Sequence, residues 1–393
     1  MASIFEKVLN SLDSLSEAYS ANIAEPSKLL KLVQDNVREE GSLVHTFESG
    51  TPLPLGFTLS AIDGANASEQ LATGDLMIAA ATVAEGLGEY KVYGEEEAPS
   101  EVFTTILPHR STNSKIEQMM RSLLELRVLA NTKTRLRIID GSYLGNVSNV
   151  LYGLINNDHQ VSNTLLQHEV FSGDKLLEKA FQEILYPKRG TDNLIIGIPK
   201  SDSSTVYVDK FFEDLGQENR GFTDRLFASS MLAPGEFLKP RNIESNPGLI
   251  STLEKTLAQK DFGSKSFDRF NLMNLVSDKA GLFRRLGLSS TEEGLLWTTY
   301  FKPSKWNVSS PAVRIEFLFY ANDSDLTVEE KAAELISLLD TDFLDGVLEP
   351  WCQYAVDREA KSVSQALTAT REFLISQTDD AHSAMGLLRG YRT

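Results

Sequence analysis

The 393-residue sequence predicts an α/β fold, in which a mixed β-sheet is flanked by helices. Apolar runs of strand length alternate with longer segments that have helical periodicity. Two of these runs meet an Asp-Gly pair, at Asp63-Gly64 and at Asp140-Gly141. An apolar run that ends in Asp-Gly is typical of a core strand that enters a tight turn. We therefore expect both aspartates to lie where strands of the sheet end.

The composition is that of a globular protein with a sizeable core. Hydrophobic residues make up 41% of the chain. The single cysteine, Cys352, rules out a disulfide within the chain and fits a reducing compartment. No apolar run approaches the length that spans a bilayer, and residues 1–20 lack the basic start and apolar core of a signal peptide. We expect a cytoplasmic protein that has no membrane association.

The formal net charge is −17, from 38 basic and 55 acidic residues. This excess of acid argues against a broad nucleic-acid-binding surface, because phosphate backbones attract basic residues. It leaves open an enzyme that reaches nucleic acid through a local channel. The five histidines are scattered without the spacing of a zinc site.

We expect three segments along the chain. Residues 1–48 carry leucines at helical spacing and predict an N-terminal helical segment. Residues 49–377 hold the predicted sheet and its helices, with a helical insertion at about 211–290 where Pro, Gly and Asn interrupt the pattern. Residues 378–393 form a C-terminal tail.

The first half of the domain predicts strands in close succession. Gly-containing, acid-rich loops separate the first three strands, which favours consecutive antiparallel pairing. The helix that follows has methionines and leucines at helical spacing. The predicted strands are 56–62, 75–84, 101–107 and 136–140, and the helix is 112–130.

The second half alternates strands and helices, with the insertion between them. Residues 205–208 are expected to pair back on the strand before them. The predicted strands are 193–200, 205–208, 295–301 and 312–320, and the helices are 146–157, 173–185, 327–339 and 350–377.

Four acidic residues fall on these elements: Asp63, Glu125, Asp140 and Asp357. Asp63 follows the first strand, and Glu125 lies beside the apolar face of helix 112–130. Asp140 ends the fourth strand, and Asp357 lies at the edge of the last helix's apolar stripe. This is the order of a ribonuclease-H-like fold, where four carboxylates meet at one edge of a mixed sheet. Such a cluster suits two divalent ions about 3.5–4 Å apart, which cleave phosphodiesters. For either Asp-Gly motif alone, the plainer interpretation is a turn that caps a strand.

The motifs around these acids resemble those of the NurA-type nucleases. AIDGANAS around Asp63 is similar to the family's first motif, an apolar strand that ends in Val/Ile-Asp-Gly, although Ala65 stands where Ser is frequent. IIDGSYLG at Asp140 is similar to the family's Asp-Gly-Ser strand end. Glu125 in LLELRVL takes the place of the family's helical glutamate, and Glu117 on the same predicted helix is the alternative.

The resemblance extends into the second half of the chain. IIGIPK with Lys200 is similar to the family's Gly-Ile/Val-x-Lys run. WTTYFK with Tyr300 and AVRIEF with Arg314 look like its Tyr-bearing and Arg-bearing strands. YAVDREA resembles a last-helix motif that usually reads Ala-His-Arg or Ala-Asp-Arg, with Asp357 and Arg358 in those places. An aspartate instead of histidine still suits Mn²⁺ or Mg²⁺.

The resemblance covers about residues 50–375 and implies a function. It implies a Mn²⁺- or Mg²⁺-dependent DNA nuclease that processes DNA ends, in repair or in defence against invading DNA. It also implies a homodimer docked on a hexameric HerA-type ATPase. Lys200 would contact the scissile phosphate, Tyr300 would orient phosphate or water, and Arg314 would bind a phosphate or hold an acidic ligand. The implied metal ligands are Asp63, Glu125, Asp140 and Asp357, the other catalytic residues Lys200 and Tyr300, and the DNA-binding residues Lys200, Arg314 and Arg358.

A second hypothesis is a non-catalytic dimeric adaptor of such an ATPase. The four carboxylates favour the nuclease, since an adaptor has no physical need to gather acids. A sugar-kinase-like or ATPase domain is disfavoured, because no Gly-rich phosphate loop follows either Asp-Gly pair.

Overall fold

The structure is a computed structural model. It describes residues 43–50, 53–72, 74–94, 97–156, 183–184, 194–200, 204–214, 222–243, 296–319 and 326–376.

These residues form a series of strands and helices. In chain order they are β1 (Val44–Thr46), β2 (Leu59–Gln70), β3 (Asp75–Glu85), β4 (Ser100–Leu107), α1 (Asn113–Asn131), β5 (Leu136–Asp140), α2 (Gly145–Asn156), β6 (Leu194–Ile198), α3 (Val206–Asp214), α4 (Asp224–Met231), β7 (Glu236–Leu238), β8 (Arg241–Asn242), β9 (Leu296–Phe301), β10 (Val313–Leu318), α5 (Val328–Asp340), α6 (Trp351–Ala360) and α7 (Val363–Ser376).

The described residues divide into two compact units. The larger unit draws on residues 48–201, 240–299 and 314–393, and the smaller one on residues 1–47, 202–239 and 300–313.

The larger unit is built on a mixed sheet with the strand order β9-β10-β6-β5-β2-β3-β4, and β8 pairs with β9. The central strands β2, β5 and β6 are parallel. β2, β3 and β4 form the expected antiparallel succession, and β10 is antiparallel to β6. The predicted α/β fold with a mixed sheet and flanking helices is therefore confirmed.

Strand β2 is longer than predicted, and the turn expected at Asp63-Gly64 is wrong. β2 continues through both residues to Gln70, because antiparallel pairing with β3 runs without a break from Ser60 to Gln70. The parallel pairing with β5 stops at Ile62, which lies opposite Ile139. Asp63 is therefore the first residue of β2 beyond its parallel neighbour.

The turn predicted at Asp140-Gly141 is confirmed. β5 ends at Asp140, and Gly141 has a φ of +125°, a conformation that residues with a side chain rarely adopt. The Gly141 N–H donates to Ile198 O at 3.1 Å, which holds the turn against β6.

Helix α1 covers β2, β3 and β4 and also packs against α2. Its apolar side chains join those of β2, β3 and β5 in the main hydrophobic core, so the predicted helix 112–130 is confirmed within one residue. The predicted helix 350–377 is instead two helices, α6 and α7, which both pack on β2 and β3. The break follows from i→i+3 bonds, with the Ser362 N–H donating to Glu359 O and the Gln365 N–H to Ser362 O.

The smaller unit pairs β1 with β7 and packs α3 and α4 around an aromatic core. Residues 205–208, predicted as a strand, begin helix α3 instead. The buried Asp224 carboxylate accepts hydrogen bonds from the Tyr207 and Val208 N–H groups, which a helix start leaves without helical partners.

Several predictions lie outside the described residues, wholly or in part. Of the N-terminal helical segment 1–48, the described end forms strand β1 rather than helix. Of the insertion at 211–290, the described part contains the end of α3, then α4, β7 and β8, so it is not wholly helical. Of helix 173–185 only residues 183–184 are described, and the tail 378–393 lies outside. Among the helices that are described, none is long and apolar enough to cross a membrane.

Candidate active site

Three aspartates from three elements converge in the larger unit. Asp63, Asp140 and Asp357 each place one carboxylate oxygen within 4.8 Å of the others. The parallel pairing of β2 with β5 brings Asp63 beside Asp140, since the last paired residues are Ile62 and Ile139. Helix α6 packs on β2 and adds Asp357. Each of the three aspartates is partly exposed, so the cluster, which we call the acid cluster, is open to solvent.

The Lys200 ammonium lies among these carboxylates. Its Nζ is 2.8 Å from Asp140 Oδ2 and 3.3 Å from both Asp357 Oδ1 and Glu349 Oε2. Burial lowers the Lys200 pKa, but the Asp140, Glu349 and Asp357 carboxylates outweigh that effect and raise it. Lys200 is therefore positively charged at neutral pH. Glu349 precedes α6 by two residues, and no sequence pattern singled it out.

The acids of the cluster differ in their charge. Burial and the nearby Asp140 carboxylate raise the pKa of Asp63 to about 7. Burial also raises the pKa of Asp357, but hydrogen bonding to the Lys361 ammonium and the charge of Lys200 outweigh it and lower the pKa. At neutral pH Asp357 is thus ionised, while Asp63 is close to half protonated.

Glu125 lies beside the acid cluster without joining the three aspartates. It is fully buried on α1, and a Cβ at Gly64 would lie 2.6 Å from its Oε1, so only glycine at position 64 admits this carboxyl group. Arg121 Nε is 3.3 Å from Glu125 Oε1 but makes no hydrogen bond within the described chain. Burial raises the Glu125 pKa to about 8. The alternative residue, Glu117, accepts a hydrogen bond from Asn66 Nδ2.

A buried glutamine that the sequence did not indicate contacts the cluster. Gln353 lies one helical turn before Asp357 on α6 and has no exposed surface. Its Nε2 donates to Asp140 Oδ1 at 2.5 Å and to Ile198 O at 3.4 Å. No sequence pattern indicated this position, because glutamine is polar and a helical pattern of apolar residues predicts it on the surface.

The predicted substrate ligand Arg314 is part of a buried network instead. Its guanidinium contacts Glu316 Oε1 at 2.8 Å, and its Nε donates to Thr298 Oγ1. The other oxygen of Glu316 accepts from the Ser142 hydroxyl and the Tyr143 N–H, both at 2.8 Å. Through Glu316, Arg314 is therefore linked to the turn that follows Asp140, and its predicted role of binding a phosphate or holding an acidic ligand stays a prediction.

The two remaining predicted residues have different surroundings. Tyr300 is completely buried in the aromatic core of the smaller unit, where its ring packs edge-on against Tyr207 at 5.7 Å. This position gives Tyr300 a packing role, and its hydroxyl is not exposed for contact with a substrate. Arg358 is exposed on α6, next to Asp357 in the chain.

The fold is similar to that of several solved structures. The crystal structure of the NurA nuclease from Sulfolobus solfataricus superposes with a TM-score of 0.55 at 12% identity, covering 96% of this chain and 98% of the other. This chain has the NurA-type fold. A structure of NurA with manganese has a TM-score of 0.46 at 10% identity, covering 91% of this chain and 99% of that one. By sequence alone, neither a family model nor a curated protein matches.

The parallel pairing of β2 with β5 accounts for the position of the acid cluster, at the edge of the central parallel strands. Three carboxylates that converge at this edge match the ligand preference of hard divalent cations, which take oxygen ligands. Burial raises the pKa of Asp63, and the nearby Asp140 carboxylate raises it further, so a bound cation would favour the ionised form of Asp63. The residues present therefore fit a site for a divalent cation.

Proposed function

We propose that this protein is a metal-dependent DNA nuclease that hydrolyses phosphodiester bonds at the acid cluster. One observation carries the proposal: Asp63, Asp140 and Asp357 converge within 4.8 Å, with the Lys200 ammonium beside them. Asp63, Asp140 and Asp357 would hold Mn²⁺ or Mg²⁺ in this site. Two bound ions about 3.5–4 Å apart would supply an ionised water and neutralise charge at the scissile phosphate.

The chain's own residues have definite tasks in this proposal. Asp63 must lose its proton to bind a cation, and its pKa of about 7 places that loss in the neutral range. Lys200 is 41% exposed at the cluster, so its ammonium can contact a non-bridging oxygen of the phosphate as a point charge. Arg358, exposed beside Asp357, would contact the DNA backbone.

Glu125 is proposed as a fourth ligand that joins only after it loses a proton. Its pKa of about 8 means that it is mostly protonated at neutral pH in the absence of a cation. A cation at the neighbouring aspartates would lower that pKa, because opposite charge favours the ionised carboxyl group. Tyr300 is not part of the proposed site, since it is buried in the core of the smaller unit.

We further propose a homodimer that works with a hexameric HerA-type ATPase on DNA ends, in repair or in defence against invading DNA. The NurA-type fold supports this partnership. So does the net charge of −17, because a partner that carries a basic DNA channel removes the need for broad phosphate binding by this chain.

The test is cleavage of end-labelled linear DNA in Mn²⁺, with and without a HerA-type ATPase. Wild type, Asp63→Ala and Asp357→Ala are compared with Glu359→Ala, which removes an exposed acid from the same helix as Asp357. We expect wild type and Glu359→Ala to cleave and both aspartate variants to lose at least about a hundredfold in rate. An absence of cleavage by wild type, even with the ATPase present, would favour the non-catalytic adaptor instead.

A further inference from the structure

We infer that Gln353 is a positioning residue, which orients the Asp140 carboxylate so that Oδ2 is the oxygen available to a divalent cation. The inference rests on the proposed function. Gln353 is uncharged and was not among the predicted site residues. Two contacts of Asp140 indicate its role. Gln353 Nε2 donates to Asp140 Oδ1, whereas Asp140 Oδ2 faces the Lys200 ammonium at 2.8 Å.

The two oxygens of Asp140 have different surroundings. Gln353 has no exposed surface, so Oδ1 is directed into the protein. Oδ2 instead faces the ammonium of Lys200, whose side chain is 41% exposed, so a cation and a phosphate would approach Asp140 from this side. A carboxylate without such a partner would rotate about its Cβ–Cγ bond and present either oxygen. One strong hydrogen bond to Oδ1 removes that freedom.

The orientation of the Gln353 amide follows from its neighbours. Its nitrogen lies beside two acceptors, Asp140 Oδ1 and Ile198 O. Exchanging nitrogen and oxygen would place three oxygens together with no hydrogen between them. Gln353 Oε1 is buried and has no hydrogen-bond partner in the described chain. The amide therefore acts on its surroundings through Nε2.

Helix α6 is anchored at the end where Gln353 lies, which fixes the position of the amide. The Trp351 N–H donates to Asp342 O, and the Cys352 N–H donates to Asp342 Oδ2 at 2.9 Å. The other Asp342 carboxylate oxygen accepts from the Leu87 N–H at 2.6 Å. Asp342 thus ties the first turn of α6 to the loop after β3, and Gln353 is held within that turn.

The experiment removes the amide nitrogen and preserves the volume. Gln353→Met and Gln353→Leu both lack the donor, and because Oε1 has no partner, the lost interaction is that of Nε2. Gln365→Met makes the same substitution at an exposed position of α7 and is the control. Binding of Mn²⁺ is measured from the fall in the electron paramagnetic resonance signal of free Mn²⁺, and thermal unfolding without Mn²⁺ checks the fold.

We expect both Gln353 variants to bind Mn²⁺ about 10- to 100-fold more weakly, as is usual when the hydrogen-bond partner of a metal ligand is removed. Excess Mn²⁺ should restore their cleavage of end-labelled DNA towards the wild-type rate, because all carboxylates remain. A merely structural role would change the unfolding temperature without this rescue.

The outcomes separate this inference from the proposed function. Wild-type Mn²⁺ affinity in a folded Gln353 variant overturns the role of Gln353 and leaves the nuclease intact. Failure of wild type itself to bind Mn²⁺ overturns the proposed metal site, and the inference with it. Equal weakening in Gln365→Met would show that the effect does not come from the contact with Asp140.

Discussion

Asp63 shows what burial does to a single ionisable group in the acid cluster. Burial and the Asp140 carboxylate raise its pKa from 3.8 to about 7. A carboxyl group whose pKa is raised by folding favours the folded state while it is protonated. Its contribution to stability is therefore complete below pH 3.8 and is lost as the pH rises through 7. A bound cation would reverse this trend, because it favours the ionised form.

We therefore expect Mn²⁺ to stabilise the protein more strongly at pH 8 than at pH 6. Asp63 would be about one tenth ionised at pH 6 and about nine tenths at pH 8, a difference of about tenfold in the competent form. The measurement is the rise in melting temperature at a fixed Mn²⁺ concentration. In Asp63→Asn this pH dependence should become smaller, and the part that remains should come from Glu125, whose pKa is about 8. An equal rise at both pH values in wild type would contradict the assignment.

Glu125→Gln tests whether Glu125 is a metal ligand or only a buried, neutral side chain. At pH 7 the Glu125 side chain is mostly protonated, since its pKa is about 8, and the amide closely resembles it. We expect the free energy of unfolding without Mn²⁺ to change by less than about 1 kcal/mol, and the Mn²⁺ affinity to fall. Glu117→Gln, on the same helix, is the control and should leave Mn²⁺ affinity unchanged. Unchanged affinity in Glu125→Gln would remove Glu125 from the ligand set.

Gly64→Ala tests the close approach of α1 to β2. The added Cβ would lie 2.6 Å from Glu125 Oε1 and 2.9 Å from Ala80 O, and the second contact is with backbone that cannot rotate away. We expect a loss of about 1–3 kcal/mol in the free energy of unfolding, measured in urea. Gly145→Ala is the matched control, because its Cβ would meet nothing nearer than 3.7 Å. A neutral Gly64→Ala would contradict the described packing.

Strand β10 supports the turn after β5, although the two strands are separated by β6. Glu316 on β10 accepts from Ser142 and Tyr143 in the turn and is paired with Arg314. Oε1 of Glu316 thus contacts the Arg314 guanidinium, and Oε2 contacts the turn. Glu316 therefore fixes the backbone that follows Asp140, and Gln353 fixes the Asp140 side chain.

Glu316→Ala would leave the Arg314 charge buried and free the turn. Breaking a buried ion pair typically costs about 3–5 kcal/mol, which we expect to observe in urea unfolding. Glu334→Ala breaks the exposed Lys331–Glu334 pair on α5 and should cost less than about 1 kcal/mol. We also expect weaker Mn²⁺ binding in Glu316→Ala alone. Similar losses in the two variants would mean that the Glu316 network contributes no more than a surface pair.

The net charge of the whole chain, −17, bears on the proposed assembly. The acid cluster contributes only a few of the 55 acidic residues, so bound cations would not neutralise the chain. A chain with this net charge repels DNA at low salt. Delivery of DNA by a basic partner channel is the physical solution that the proposed ATPase supplies.

The proposed homodimer would have a mass of 87 kDa, twice the 43.5 kDa of one chain. Mass photometry should show this species and, after mixing, a larger one that contains the HerA-type ATPase. Asp63→Ala should assemble in the same way, because it alters the acid cluster and not the fold. A protein that stays at 43.5 kDa across concentrations would contradict the dimer.

The sequence by itself predicted the elements whose periodicity is strong and, on them, all three aspartates of the acid cluster. Helix 112–130 and strand 136–140 were predicted nearly to the residue, because a long apolar face and a short apolar run have distinct periods. Asp63 and Asp140 come at the ends of two such apolar runs, and the parallel pairing of β2 with β5 brings them together. The local pattern of apolar residues was sufficient to predict these elements, because the period of that pattern matches the geometry of the hydrogen-bonded helix or strand.

Tertiary structure alone decided what surrounds those acids. Gln353 lies 213 positions from the Asp140 that it contacts, and Glu316 lies 174 positions from Ser142, so no local pattern links them. The same holds for Tyr300, whose place in the smaller unit's core depends on Tyr207. Strand β2 continued past the predicted turn because β3 supplied partners for its N–H and C=O groups. Hydrogen bonds and packing between distant segments outweigh local propensity, and they exist only once the chain has folded.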